Sequence, residues 1–139
     1  MRHPSPLADL VISLPDDIHL VFEDRSGYLY AQVTGPRDSH QISLAYWSQV
    51  AEQVRRRNVR KLLVHENLGD HEDERDLSSM IDALIAMGLD RIQIAFVVGR
   101  IELVTEMEHG EILALERGAN GRVFGSVAMA ERWLRHGSQ

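Results

Sequence analysis

Two histidines and a run of acids lie close together in the middle of the chain. His65 closes the apolar run Lys61-Leu62-Leu63-Val64-His65. The stretch that follows, Glu66-Asn67-Leu68-Gly69-Asp70-His71-Glu72-Asp73-Glu74-Arg75-Asp76, puts five carboxylates into its last seven residues. Imidazole and carboxylate together can ligate a divalent ion, and the C-terminal end of a strand in an open α/β sheet is where such groups converge. His65 and His71 are therefore the candidate metal ligands. Their setting matches no recognised site: there is neither a His-Glu-x-x-His helix nor the Asp-x-Asp-x-Asp-Gly pattern of a calcium loop. A carboxylate-rich stretch is ordinarily a solvated face, so 66–76 reads as a wet polar loop and no metal or other cofactor is expected. His19, His40, His109 and His136 show no partner pattern.

Catalytic signatures are equally sparse. Nucleophile elbows, phosphate loops and dinucleotide glycine fingerprints are missing, and Gly118-Ala119-Asn120-Gly121 reads as a turn between helix and strand. A hydrolase assembled from His65, Glu66 and Ser78 has no positive support, and the loop carboxylates would serve as acid or base only if burial shifted them. The chain has no cysteine, which removes disulfides, thiolate nucleophiles and cysteine-ligated metals. Its net charge of −6 argues against a general nucleic-acid binder, and Arg55-Arg56-Arg57 fits a solvated helix end better than a phosphate-binding patch. No apolar run approaches the roughly 20 residues of a membrane span. The short run Leu10-Val11-Ile12-Ser13-Leu14, broken at Pro15, lacks a signal peptide's apolar core, so a cytoplasmic, bacterial-type protein is expected.

The elements that must position these groups follow from periodicity. At 139 residues and 44% hydrophobic, one domain with a real core is expected over 16–136, preceded by a tail or extra element over 1–15. Residues 1–6 lack an apolar pattern, and 7–14 suit a helical turn or a strand. The β-rich segments 18–23 and 28–34, linked by Asp24-Arg25-Ser26-Gly27, predict an antiparallel hairpin ended by Gly35-Pro36. Ser43 is the expected N-cap of a helix to about Arg57, with Leu44, Trp47, Ala51 and Val54 on one face. The strand 61–65 follows. Leu77, Met80, Ile81, Leu84 and Ile85 then mark the inward stripe of a helix over 76–87, which Gly88 stops. The run 91–98, closed by Gly99, reads as a strand covered on both faces. Helix 101–117 is less regular, with Gly110 in its middle. A short strand at 122–124 and a helix bearing Val127, Ala130 and Leu134, with Ser126 as N-cap, complete the chain.

The order β-β-α-β-α-β-α-β-α predicts an α/β fold: a mixed sheet of about five strands, antiparallel hairpin first and parallel strands after, with four helices. Gln32-Val33-Thr34-Gly35-Pro36, Lys61-Leu62-Leu63-Val64, the strand 91–98, Glu116-Arg117-Gly118, Arg122-Val123-Phe124 and Ala130-Glu131-Arg132-Trp133-Leu134 together resemble the STAS-like, or SpoIIAA-like, domains over roughly residues 16–135. That resemblance implies a non-enzymatic regulatory or protein-interaction module, using surfaces near the strand C-termini to bind a protein partner or a small, sometimes apolar, ligand. Anti-sigma antagonists of the family carry a phosphorylatable serine after the third strand, in an Asp-Ser-Ser/Thr-Gly setting. Here Asp76-Leu77-Ser78-Ser79-Met80 stands at that place, which makes Ser78 and Ser79 the candidates. A leucine intervenes, no glycine follows, and the neighbouring acids would repel a phosphate.

Two functions are thus carried forward. The first is the protein-interaction module, with a second copy of itself among its candidate partners. The alternative is a carrier of a small apolar ligand or lipid, with helix 101–117 as a mobile lid over a pocket formed by Val98, Gly99, Arg100, Leu103 and Met107.

Overall fold

In the computed structural model, which describes residues 11–136, the elements run β1 (His19–Arg25), β2 (Tyr28–Asp38), α1 (His40–Arg57), β3 (Lys61–His71), α2 (Leu77–Ala86), β4 (Gln93–Val98), α3 (Val104–Glu116), β5 (Asn120–Phe124) and α4 (Val127–His136). The five strands form one sheet whose spatial order is the chain order. β1 and β2 are antiparallel, joined through Gly27 at φ 88°, and every later pairing is parallel. The protein is therefore an α/β fold with a five-stranded mixed sheet and four helices.

Strand order dictates the layers. From β2 to β5 the chain steps one strand at a time in one direction, and crossovers of a single hand then place the three intervening helices on one face. α1, α2 and α3 pack side by side accordingly, while α4 covers the other face against β3, β4 and β5. Alternation divides the core to match: Leu29, Ala31, Val33, Leu62 and Val64 point toward the three-helix layer, whereas Tyr28, Tyr30, Leu63, Ala95 and Val97 meet Ala130 and Leu134 of α4. Ser126 caps α4 as expected, its Oγ accepting from the Met129 amide at 3.2 Å. No helix among the described residues is long and apolar enough to cross a membrane.

Four expectations are corrected. Gly35-Pro36 does not end β2, which runs on to Asp38 beside β3, and β3 itself continues from Lys61 to His71 instead of stopping at His65. The pairing skips Pro36 and Gly69, so the missing proline N–H leaves no ladder bond unmade. Gly69 lies so close to Pro36 that a Cβ there would stand 2.0 Å from its carbonyl oxygen. α1 starts at His40, capped by Ser39, whose Oγ accepts from the Ile42 amide at 3.0 Å; Ser43 is buried inside the helix. Its polar first turn hid that start from the apolar period. Of the N-terminal stretch, residues 1–10 lie outside the described residues and 11–14 form no regular element. Ile12 is tied to α1 instead, donating to Ser48 Oγ and accepting from Gln49 Nε2, both at 2.9 Å.

The contact at Gly69 gives a direct check. Gly69→Ala is expected to destabilise the fold by roughly 1–3 kcal/mol through overpacking against backbone. Gly125→Ala, with nothing within 4 Å of its Cβ position, should be neutral or slightly stabilising in the same urea titration.

Candidate functional site

β2 and β3 outrun the rest of the sheet. Pairing of β3 with β4 ends at Glu66–Val98, but β2 and β3 stay paired as far as Asp38–His71. This projection sets Asp38 and His71 over the end of the three-helix layer, close to Ser43 and Tyr46 of α1 and to Arg75 before α2. Glu66 lies just behind them. On a strand every second residue shares a face, so Glu66 points the same way as Leu62, Val64 and Leu68.

Glu66 is 4% exposed, and its Oε1 has no hydrogen-bond partner among the described residues. Burial, reinforced by the neighbouring charge of Asp38, pushes its carboxyl up to about 7; the Leu68 amide, Arg75 and Arg100 pull only weakly the other way. Asp38 is better provided. Its Oδ1 accepts from the Ser39 amide at 2.8 Å and from Ser43 Oγ at 3.2 Å. Burial nevertheless raises it above the usual carboxylate range. Arg75 stands 3.6 Å from Asp38, a distance for attraction without a hydrogen bond, while its Nε meets Glu106 of α3 at 3.0 Å. Burial, followed by the charges of Glu66 and Asp38, drives the Tyr46 hydroxyl well above its ordinary range.

These polar groups form one end of an apolar cavity of about 140 Å³. Trp47 and Phe96 contribute stacked rings 6.0 Å apart. α2 supplies Leu77, Met80, Ile81, Leu84 and Ile85, and α3 supplies Met107, Gly110 and Ala114. The space exists because α2 stands off the sheet: five apolar residues face inward, yet Ala83 is its only buried residue. Beyond Met107 the facing positions of α3 include the small residues Gly110 and Ala114, which leave the gap unfilled.

The candidate residues named from sequence are scattered by the fold. His65 lies on the α4 face, with Nδ1 2.9 Å from the Tyr30 hydroxyl, and burial followed by the charge of Arg25 lowers its pKa. His71 belongs to the projecting end of β3, where Nδ1 is 2.6 Å from the Asp73 carbonyl oxygen and 2.9 Å from Asp73 Oδ1. Among the described residues, no three His, Asp or Glu side chains are grouped to hold a metal ion. Ser78 and Ser79 are exposed in the first turn of α2. Ser78 Oγ accepts from Arg117 Nη2 at 2.7 Å, and the Ser79 amide donates to Asp76 Oδ1 at 3.0 Å. Of the five residues proposed for a pocket, Met107 lines the cavity, while Val98, Gly99, Arg100 and Leu103 do not. Gly99 is pressed against Glu66 and Asn67, and Arg100 is held between Asp70 and Glu102.

Glu66 itself was assigned to a wet loop, and that expectation is overturned. The signal was the alternation: carried two residues past Val64, it places Glu66 and then Leu68 on the buried side. No family model matches the chain, and no curated protein matches it in sequence.

A carboxyl whose ordinary value of 4.5 rises to about 7 on folding keeps its proton in the folded state after the unfolded chain has lost it. Stability must then fall as pH rises from about 4.5 to about 7 and level off above, because the unfolded state binds fewer protons within that window. Relative to Glu66→Gln, the wild-type protein is expected to lose roughly 3 kcal/mol across it, at 1.36 kcal/mol per pH unit. Urea denaturation of both proteins from pH 4 to 8 measures the difference, and parallel curves would refute the assignment.

Proposed function

We propose that this chain is a non-enzymatic domain that binds a small apolar molecule in the cavity between α1, α2, α3 and the sheet, with α3 as the lid. The observation that carries the reading is an unfilled space of about 140 Å³ with largely apolar walls. Engineered cavities of about 150 Å³ with Leu, Ile and Phe walls take up benzene. Polar contacts hold α3 across the space: Glu106 to Arg75 at 3.0 Å, Glu111 Oε1 accepting from the Val123 amide at 2.7 Å, and Arg117 to Asp82 at 3.3 Å. Such contacts open more readily than a packed apolar seam. The resemblance to STAS-like domains, among which small apolar ligands occur, supports the same reading. A hydrolytic role loses support because His65, Glu66 and Ser78 point to different places: the α4 face, the cavity and the solvent.

A protein-contact role is the second reading. Ile101, Ile112 and Leu115, on or beside the lid, are 83%, 54% and 72% exposed and would suit a partner surface.

Toluene titrated into the protein is expected to give saturable NMR shifts at the Trp47 indole N–H and the Met80 and Met107 methyls. Ala114→Leu, which fills the cavity from α3, should abolish them. Shifts that never saturate, or that survive Ala114→Leu, would remove the cavity from consideration.

A further inference from the structure

Among the described residues, Glu66 is the one member of the cavity wall with a buried side-chain oxygen that lacks a hydrogen-bond partner. Structural acids in a core are paired, and the other acids here follow that rule. Arg75 lies between Asp38 and Glu106, and Arg100 between Asp70 and Glu102, so both of these arginines are already matched. Asp38 has in addition its two hydrogen bonds from Ser39 and Ser43. Glu66 Oε1, in a residue 4% exposed, receives no hydrogen bond among the described residues and borders the apolar space. An acceptor at the head of an apolar chamber calls for an occupant that brings a donor, and the surplus negative charge of Glu66 beside Asp38 selects a positive one.

We propose that the cavity takes a small apolar amine, its ammonium group donating to Glu66 Oε1 and its hydrocarbon body lying between the Trp47 and Phe96 rings and α2. This rests on the apolar-ligand reading and adds the nature of the head group. An anionic ligand is disfavoured by Glu66 beside Asp38, and a neutral hydroxyl would leave the charge unmatched. The space of about 140 Å³ accommodates a body about the size of one aromatic ring. Aromatic walls next to a carboxylate also suit a cation, since ring faces attract positive charge.

Proton linkage has a definite sign. Binding an ammonium favours the ionised form of Glu66, so affinity for the amine rises with pH through the range where free Glu66 loses its proton. The groups facing it are Asp38 from β2, Tyr46 from α1, Arg75 from the segment before α2, Arg100 after β4 and, through Arg75, Glu106 of α3. Arg100, whose pKa is raised by its bonds to Asp70 and Glu102, stays charged throughout. Asp38 titrates in the same direction as Glu66, and Tyr46 stays neutral.

Benzylamine, benzyl alcohol and toluene have similar bodies and differ in the head, so their affinities at pH 6 and pH 8, measured by calorimetry and NMR, form the test. At pH 8 benzylamine is expected to bind about tenfold or more tighter than benzyl alcohol, the margin of a charge-assisted hydrogen bond. That margin should shrink at pH 6. Glu66→Gln should remove it, bringing benzylamine down to the affinity of benzyl alcohol. Glu66→Met, which fills similar space without polarity, should do the same, with denaturation curves confirming that both variants fold. Benzylamine binding no tighter than benzyl alcohol, or unaffected by either variant while toluene still binds, would overturn the amine assignment and leave the apolar cavity standing. Failure of toluene as well as the amine would remove the cavity reading on which it rests.

Discussion

A carboxylate occupies an inward position of β3 where Leu62, Val64 and Leu68 share its side, and the character of the site follows from that replacement of hydrocarbon by charge. Moving an ionised carboxylate out of water costs several kcal/mol unless a partner offsets it. Glu66 receives little offset, because Asp38 adds negative potential and the cations in reach are engaged elsewhere. The group meets the cost by keeping its proton up to about pH 7. In a domain of typical stability, about 5–15 kcal/mol, such a penalty is a substantial fraction, and a leucine would pack the same position without it. A residue that weakens the fold where it stands is best understood through what it recognises.

The space beside it has an equally specific origin. α2 has the amphipathic stripe of a helix meant to seat on a sheet, yet Leu77, Met80, Ile81, Leu84 and Ile85 are only partly buried, because α3 sets the small Gly110 and Ala114 opposite them. Gly110 is the clearest cause. A Cβ at that position would meet Leu77 at 3.8 Å, an ordinary contact, so the backbone has no steric need for glycine there. Gly110 sacrifices helix propensity worth about 1 kcal/mol and leaves the chamber wider. Unfilled apolar volume also forfeits dispersion contacts along its walls. Two separate departures from good packing, a buried acid with one unpartnered oxygen and an unfilled apolar space, thus occur side by side.

Most of the architecture was legible in the sequence because it depends on periodicity, which a single chain displays directly. The hairpin, the run 91–98, of which Gln93–Val98 form the strand while Arg91 ends a short helical turn, the stripe of α2 with its Gly88 stop, and the Phe124-to-Leu134 ending with its Ser126 cap all rest on local spacing. The site was legible only in part. Residues 66–71 were masked by composition: acids and a glycine outweighed an alternation that continued through Leu62, Val64, Glu66 and Leu68. Pro36 misled in the same way, since a proline reads as a strand terminator until its partner on the next strand is known to be skipped. The cavity lies further along α3 than the residues 98–103 named from sequence, and the apolar residues of that helix do not separate cleanly into faces: Ile112 and Leu115 point outward while Gly110 and Ala114 point in.

A carboxyl held near neutrality is also what general acid–base catalysis uses, so the reading as a binding site has to come from what surrounds Glu66. Catalysis needs a second group placed to share the proton or attack the substrate. His65 is on the far side of the sheet against Tyr30, and Ser78 faces solvent under Arg117. Asp38 is close, but its Oδ1 already accepts two hydrogen bonds and Arg75 faces Oδ2. Asp38 therefore raises the negative potential at Glu66 without offering it a proton path. What the arrangement does provide is one acceptor, a matched set of surrounding charges and an apolar chamber ending at that acceptor. On the proposed reading this arrangement holds a molecule by one end, through residues from β2, β3, α1, α2 and α3 that only the folded sheet brings together.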